Sequence, residues 1–351
     1  MTTQLAARLM SSQLPDLVFT TSAARLTVAL YDPAGDERFL EVTLHATSGA
    51  VTLYEVRDVV EQRMRALDEA RMNMCVLWKE PDAASWTSQG VAVHYCDKDV
   101  SGDALTWLDT HFLSTLDWKP LPPSGVSDTL YFYERVQGAD VTPSMTVSYR
   151  GSDGTVSHLT IAASEPLTST DAVQSVTWTV ATVRQRVAAV VEGEFTVLAV
   201  TVRVGERTMQ YYRVEPEATA SFLFLNCFNV PEWAWLTCST VTKTKDERKV
   251  GFVARRRVLY NPSREVSHEV QTSALPMEHA EWIDQLFTSG SVWLADSTPV
   301  VITEGECAVS DDNGALNSVK FTWLRADGRG SVSVTARAAR IFTEEFTYQF
   351  T

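Results

Sequence analysis

This sequence predicts a mainly β protein, built of antiparallel β-sandwich modules with short covering helices. Three observations carry that expectation. Most segments alternate polar with apolar residues at period two and are rich in Val, Thr and aromatic side chains. Clusters of turn-forming residues bound them, as in Asp32-Pro33-Ala34-Gly35, Gly151-Ser152-Asp153-Gly154 and Asp311-Asp312-Asn313-Gly314. One strand-and-helix pattern is also written twice.

In the first copy, strands at 25–31 and 39–45 lead into 51–54 and a helix over 55–68. Val56, Val59, Val60 and Met64 line one face of that helix. In the second copy, strands at 145–149 and 156–162 lead to 176–179 and a shorter helix over 183–190. Both helices contain a similar string, Glu61-Gln62-Arg63 and Arg184-Gln185-Arg186. Strands at 72–78 with 91–95, and at 195–204 with 208–214, follow the two helices. Each copy then reaches an aromatic run, 104–108 and 221–225.

The remainder reads as a C-terminal β-sandwich with one helix. A hairpin pairs 250–260 with 265–272, and a helix over 276–287 opens on Pro276 and buries Trp282, Ile283, Leu286 and Phe287. Strands at 292–294 and 300–303 precede a closing pair, 318–324 with 331–338. A barrel is the alternative closure. Joins are suggested at 120–125, 137–140 and 215–217, although the first also reads as a projecting loop. The expected units are 1–140, 141–218 and 219–351, since 351 residues exceed what one core usually serves.

Thirty basic against forty-four acidic residues give a formal charge of −14, which argues against nucleic acid as a partner of the whole molecule. Lys243, Lys245, Arg248, Lys249, Arg255, Arg256 and Arg257 are a local exception. They read as a charged strand edge or a subunit contact in preference to a nucleic-acid surface. Cysteines at 75, 96, 227, 238 and 307 form no CxxC pair and read as free thiols, with Cys227 and Cys238 the pair placed to approach. The sequence shows no secretory signal and no apolar run long enough to insert in a membrane, so the expectation is a soluble protein made in the cytoplasm.

The signatures of catalysis are missing from the sequence. It contains no GxSxG, GxxxxGKS or GxGxxG, and its six histidines (45, 94, 111, 158, 268 and 279) are scattered singly. No cofactor is implied. His94-Tyr95-Cys96-Asp97 is too compact for a metal site. Glu304, Glu306, Asp311 and Asp312 could offer calcium carboxylate oxygens, but they read as a solvated turn because the full acidic loop is absent. Trp233 and Trp235 alternate, so both leave one face of a strand, as a sugar-stacking platform requires. With Trp118 they are candidates for glycan contact, although core packing or a subunit interface accounts for them better.

The segment Ser221-Phe222-Leu223-Phe224-Leu225-Asn226-Cys227-Phe228-Asn229-Val230-Pro231-Glu232 resembles a stretch in uncharacterised tail-associated structural proteins of phages and prophages of gut Bacteroidota. Residues 51–61 and 281–287 are similar to segments of the same group. This chain departs from the pattern at Asn229, where glycine is expected, and at Cys227, where a larger or basic residue is common. The resemblance implies a non-enzymatic virion component at the tail, tail tip or baseplate, assembled from itself as a ring and joined to other tail proteins. Strand edges and the basic hairpin are the candidate ring contacts. A carbohydrate or cell-surface binding module acting on host glycan is the alternative.

Overall fold

Buried alternation forms the strands, and two units repeat one topology. The computed structural model describes residues 3–100, 102–134, 140–168, 172–215, 217–253, 256–309 and 317–326. The first unit contains β1 (Arg8–Met10), β2 (Leu17–Thr20), β3 (Arg25–Asp32), β4 (Glu37–His45), β5 (Ala50–Leu53), α1 (Val56–Ala66), β6 (Arg71–Lys79) and β7 (Thr87–His94). Its five-stranded sheet runs β1-β7-β6-β3-β4 and is antiparallel except for the β1/β7 pair, while β2 and β5 form a separate antiparallel ribbon. Leu26, Val28 and Leu30 of β3 meet Phe19 of the ribbon and Val60 and Met64 of α1 in one core. The sheet is one layer of this sandwich, and ribbon and helix are the other.

The helix α1 is shorter than the pattern suggests because both flanks take left-handed backbone. Glu55 has φ 57° and Asp68 φ 53°. Glu55 is held there by a hydrogen bond from its N–H to Asp16 Oδ1 (3.1 Å). After this unit comes α2 (Ala104–Thr110), capped by the Asp103 carboxylate, which accepts from Leu105 N at 3.1 Å.

The second unit contains β8 (Trp118–Pro120), β9 (Ser127–Glu134), β10 (Asp140–Val141), β11 (Ser144–Gly151), β12 (Val156–Ala162), β13 (Leu167–Thr168), β14 (Ala172–Thr179), α3 (Val180–Ala188), β15 (Phe195–Val204) and β16 (Arg207–Tyr212). Its sheet order is β12-β11-β15-β16-β8, with β8 parallel to β16, and β9 pairs with β14. Apart from the added β10/β13 bridge and a 3-10 turn at Ser11–Gln13 that the second unit lacks, this is the first unit again, strand for strand and with one α-helix each. Its core joins Met145 and Val147 to Leu130, Phe132, Trp178, Val183 and Val187. Thr179 caps α3 by accepting from Thr182 N at 3.0 Å, so this helix starts three residues before the expected 183.

Two expectations about the repeat change. Residues 118–134, assigned by sequence to the first unit, pair here with β16 and β14 of the second. The loop at 120–125 is therefore the β8–β9 connection. The two aromatic runs are also not equivalent, because 104–108 lies in α2 and 221–225 lies in a strand.

The C-terminal unit contains β17 (Ala220–Leu225), β18 (Pro231–Leu236), β19 (Cys238–Val253), β20 (Arg256–Thr272), α4 (Met277–Thr288), β21 (Val292–Leu294), β22 (Pro299–Ala308) and β23 (Ser318–Arg325). They form one seven-stranded antiparallel sheet, β18-β17-β21-β22-β23-β20-β19, with α4 packed on it. Phe222, Phe224, Phe321 and Trp323 from the sheet meet Trp282, Ile283 and Leu286 from the helix. Gly305 of β22 lies under Phe287, where a Cβ would stand 2.6 Å from the ring. The expected strand at 331–338, the turn at 311–314 and the centre of the join at 137–140 lie outside the described residues.

The hairpin of this unit is longer than the sequence suggests. Asn261-Pro262-Ser263 reads as its turn, yet those residues continue β20. The register slips between Glu247, opposite Ser263, and Lys249, opposite Tyr260. Pro262 thus sits at a bulge, where the N–H it lacks is not required by the ladder.

Candidate functional site

Two features stand apart from ordinary core packing: a buried polar junction where the three units meet, and the projecting part of the β19/β20 hairpin. The junction is built on the turn between β17 and β18, within the segment that carries the resemblance. Asn226 closes this turn by accepting from Phe228 N (2.9 Å), and its Nδ2 donates to Leu113 O and Glu232 Oε2, both at 2.7 Å. Asn229 has φ 56°, the left-handed conformation that explains an expected glycine and that Asn tolerates. Its Nδ2 donates to Glu69 O (3.1 Å) and Met64 O (3.3 Å) at the end of α1. Cys227 N donates to Gln285 Oε1 of α4 (3.0 Å), and Cys227 O accepts from Asp97 N (3.1 Å). One five-residue turn thereby touches the first unit, the α2 segment and α4.

Glu232, first in β18 after Pro231, extends the junction to the second unit. Its Oε1 lies 2.6 Å from Lys119 Nζ of β8 and accepts from Ser114 Oγ, also at 2.6 Å. Lys119 is 1% exposed, and its ammonium stands 5.7 Å from the centre of the Trp282 ring. Behind it, buried Asp128 accepts a short hydrogen bond from Tyr211. Burial by itself would discharge Lys119, but the Glu232 and Asp128 carboxyl groups reverse this and hold its pKa above the ordinary lysine value. Burial likewise pushes Glu232 up, and Lys119, Ser114 and Asn226 bring it below the usual carboxylate range. Asp128 remains raised, because burial outweighs Lys119 and Tyr211 there. A second buried cation, Arg207 of β16, donates to Leu108 O (3.0 Å) and Tyr133 O (2.6 Å) and pairs with Glu134 at 3.5 Å.

Trp233 and Trp235 do share one face of β18, as their spacing requires. That face turns into the core of the second unit, where Trp235 is 3% exposed and Trp233 packs half-buried beside it. Ala234 and Leu236 on the opposite face enter the C-terminal core. The two tryptophans are therefore a seam between units and offer no open platform. Trp118 is half-buried, with its ring 4.0 Å from His279 and 5.9 Å from Tyr212.

His279 of α4 is a strongly perturbed histidine. Burial, with the Lys119 charge nearby, pushes its pKa down to about 4 despite a backbone contact at Trp118. A depressed histidine stabilises the fold fully above the unfolded pKa of about 6.5 and loses that contribution as pH falls towards 4. Unfolding free energies from urea titrations should therefore fall between pH 7 and pH 5, by about 2 kcal/mol at pH 5. His279→Phe should flatten this dependence, and an unchanged slope in that variant would refute the assignment.

Lys243, Lys245, Arg256 and Arg257 are exposed on the projecting hairpin, while Arg255 lies outside the described residues. Glu304 and Glu306 are exposed on β22, and Asp311 and Asp312 lie outside the described residues. Among the described residues no three His, Cys, Asp or Glu side chains converge as a metal site. Cys227 packs with Cys96 in one core cluster, and all five cysteines are free thiols, as the sequence suggests. A small polar cleft of about 110 Å³ between the first and C-terminal units is lined by Arg65, Asp97, Asn229, Gln285 and Ser289. No described helix is long and apolar enough to cross a membrane.

Sequence reasoning missed the junction. The available signal was a single charged residue inside an apolar strand, Glu232 between Pro231 and Trp233, which is stable only if it is paired. Comparison with known proteins finds no protein-family model that matches the chain and no curated protein with significant similarity to it.

Proposed function

We propose that this chain is a non-enzymatic structural subunit of a phage virion, at the tail, tail tip or baseplate, that assembles with itself as a ring and with other tail proteins. The observation that carries the reading is the hairpin. Among the described residues β19 and β20 continue far past the last strand that pairs with them, and such an element has its use between molecules. The buried junction supports it, because a scaffold transmits position only if its units hold fixed relative to one another. The resemblance of 221–232, 51–61 and 281–287 to tail-associated proteins supports a virion as the assembly. Glycan binding through Trp118, Trp233 and Trp235 is the weaker alternative, since two of these side chains line the seam between units.

Mass spectrometry of particles purified after prophage induction in the encoding strain tests the reading. The chain should be recovered with tail proteins in amounts fitting a repeated subunit. Its absence from intact particles would overturn the proposal.

A further inference from the structure

β23 pairs with β20 only over Ser267–Gln271, and β19 is the outer strand of its sheet. Beyond that root, among the described residues, the two strands pair only with each other, from Thr244 opposite Val266 to Val253 opposite Arg256. At about 3.3 Å per residue the arm reaches roughly 30 Å past the sheet. A two-stranded hairpin of this kind is marginal in water without a covered face. This one leaves Val250 57% and Val266 36% exposed.

Charge narrows what covers it to an acidic surface. Residues 244–266 contain seven basic and three acidic side chains, a net of +4, while the rest of the chain carries −18. Residues 1–117 alone hold seventeen acidic against nine basic side chains. Two of the arm's three acidic groups pair within it, Glu247 with Lys245 (3.4 Å) and Asp246 with Arg264 (3.7 Å). The excess that remains is positive.

We infer that the arm of one copy docks on the acidic first unit of a second copy of this chain. The contact joins two different surfaces and so repeats from subunit to subunit, closing as a ring where the rotation allows. It is electrostatic at long range and is weakened by salt. This inference rests on the assembly reading and specifies its contact.

Light scattering after size exclusion, at about 100 μM protein and at roughly 50 and 500 mM NaCl, tests it. Wild type should run at a multiple of 39.0 kDa at low salt and shift towards the monomer at high salt. The double variant Arg256→Glu/Arg257→Glu should be monomeric at both. A shortened hairpin, closed by Asn-Gly between the register partners Lys245 and Glu265, should also be monomeric with unchanged thermal unfolding, since it keeps the whole root. An oligomer that survives shortening would overturn the inference and leave the assembly reading standing. A wild-type monomer at both salts would overturn it too, and recovery of the chain in particles would then point the arm to another tail protein. Arm-dependent retardation of duplex DNA would also overturn it, by making nucleic acid the partner.

Discussion

Glu232→Ala is expected to destabilise the protein by about 3–5 kcal/mol, among the largest effects of any single substitution. The loss comes from what remains behind. Lys119 stays buried without the oxygen that lies 2.6 Å from its ammonium, and Asn226 and Ser114 lose an acceptor. Adding Lys119→Met should recover much of the loss, because Met fills most of the lysine's volume and removes the stranded charge. A double-mutant cycle read from urea midpoints measures the coupling. If Glu232→Ala falls within about 0.5 kcal/mol of wild type, the junction is not what holds the units together.

Arg207→Met should cost about 3 kcal/mol or more, with a local signature. The guanidinium joins Leu108 O at the end of α2 to Tyr133 O in β9, and it faces Glu134. Without it the two carbonyls and the Glu134 carboxylate each lose a buried cationic donor. Hydrogen exchange should show α2 losing protection before the second-unit sheet does. Unaltered α2 protection would mean that packing of Ala104 and Leu108 suffices to hold that helix.

Much of the architecture was legible in the sequence because its causes are local. The hairpins at β3/β4 and β11/β12 follow from alternation plus a turn, and α1 and α4 follow from apolar faces. The repeat was visible for the same reason. The boundary between copies was not, because β8 is assigned to the second unit by parallel pairing with β16, some ninety residues later in the chain. Nothing in Trp118-Lys119-Pro120 announces that partner. The hairpin was misread at Asn261-Pro262, where turn chemistry and bulge chemistry use the same residues.

The junction was hidden for another reason. Asn226, Asn229, Lys119 and Glu232 are unremarkable one at a time, and only burial makes them consequential. The glycine expected at 229 did hold a clue to backbone geometry. Asparagine meets the same left-handed requirement and adds two hydrogen bonds to the first unit that glycine cannot make. The tryptophan spacing was read correctly as one face of a strand, but sequence does not say what that face meets.

The root of the arm also gives the molecule a mechanical direction. A pull along the strands loads the five register pairs between Ser267–Gln271 and β23 together, in shear, along with the ladder to β19. A sideways pull opens the same pairs one after another, from the outer end inwards. Tension applied along the arm therefore passes into the seven-stranded sheet and, through the β17–β18 turn, into the other two units, so the chain resists load best along the line in which its arm points.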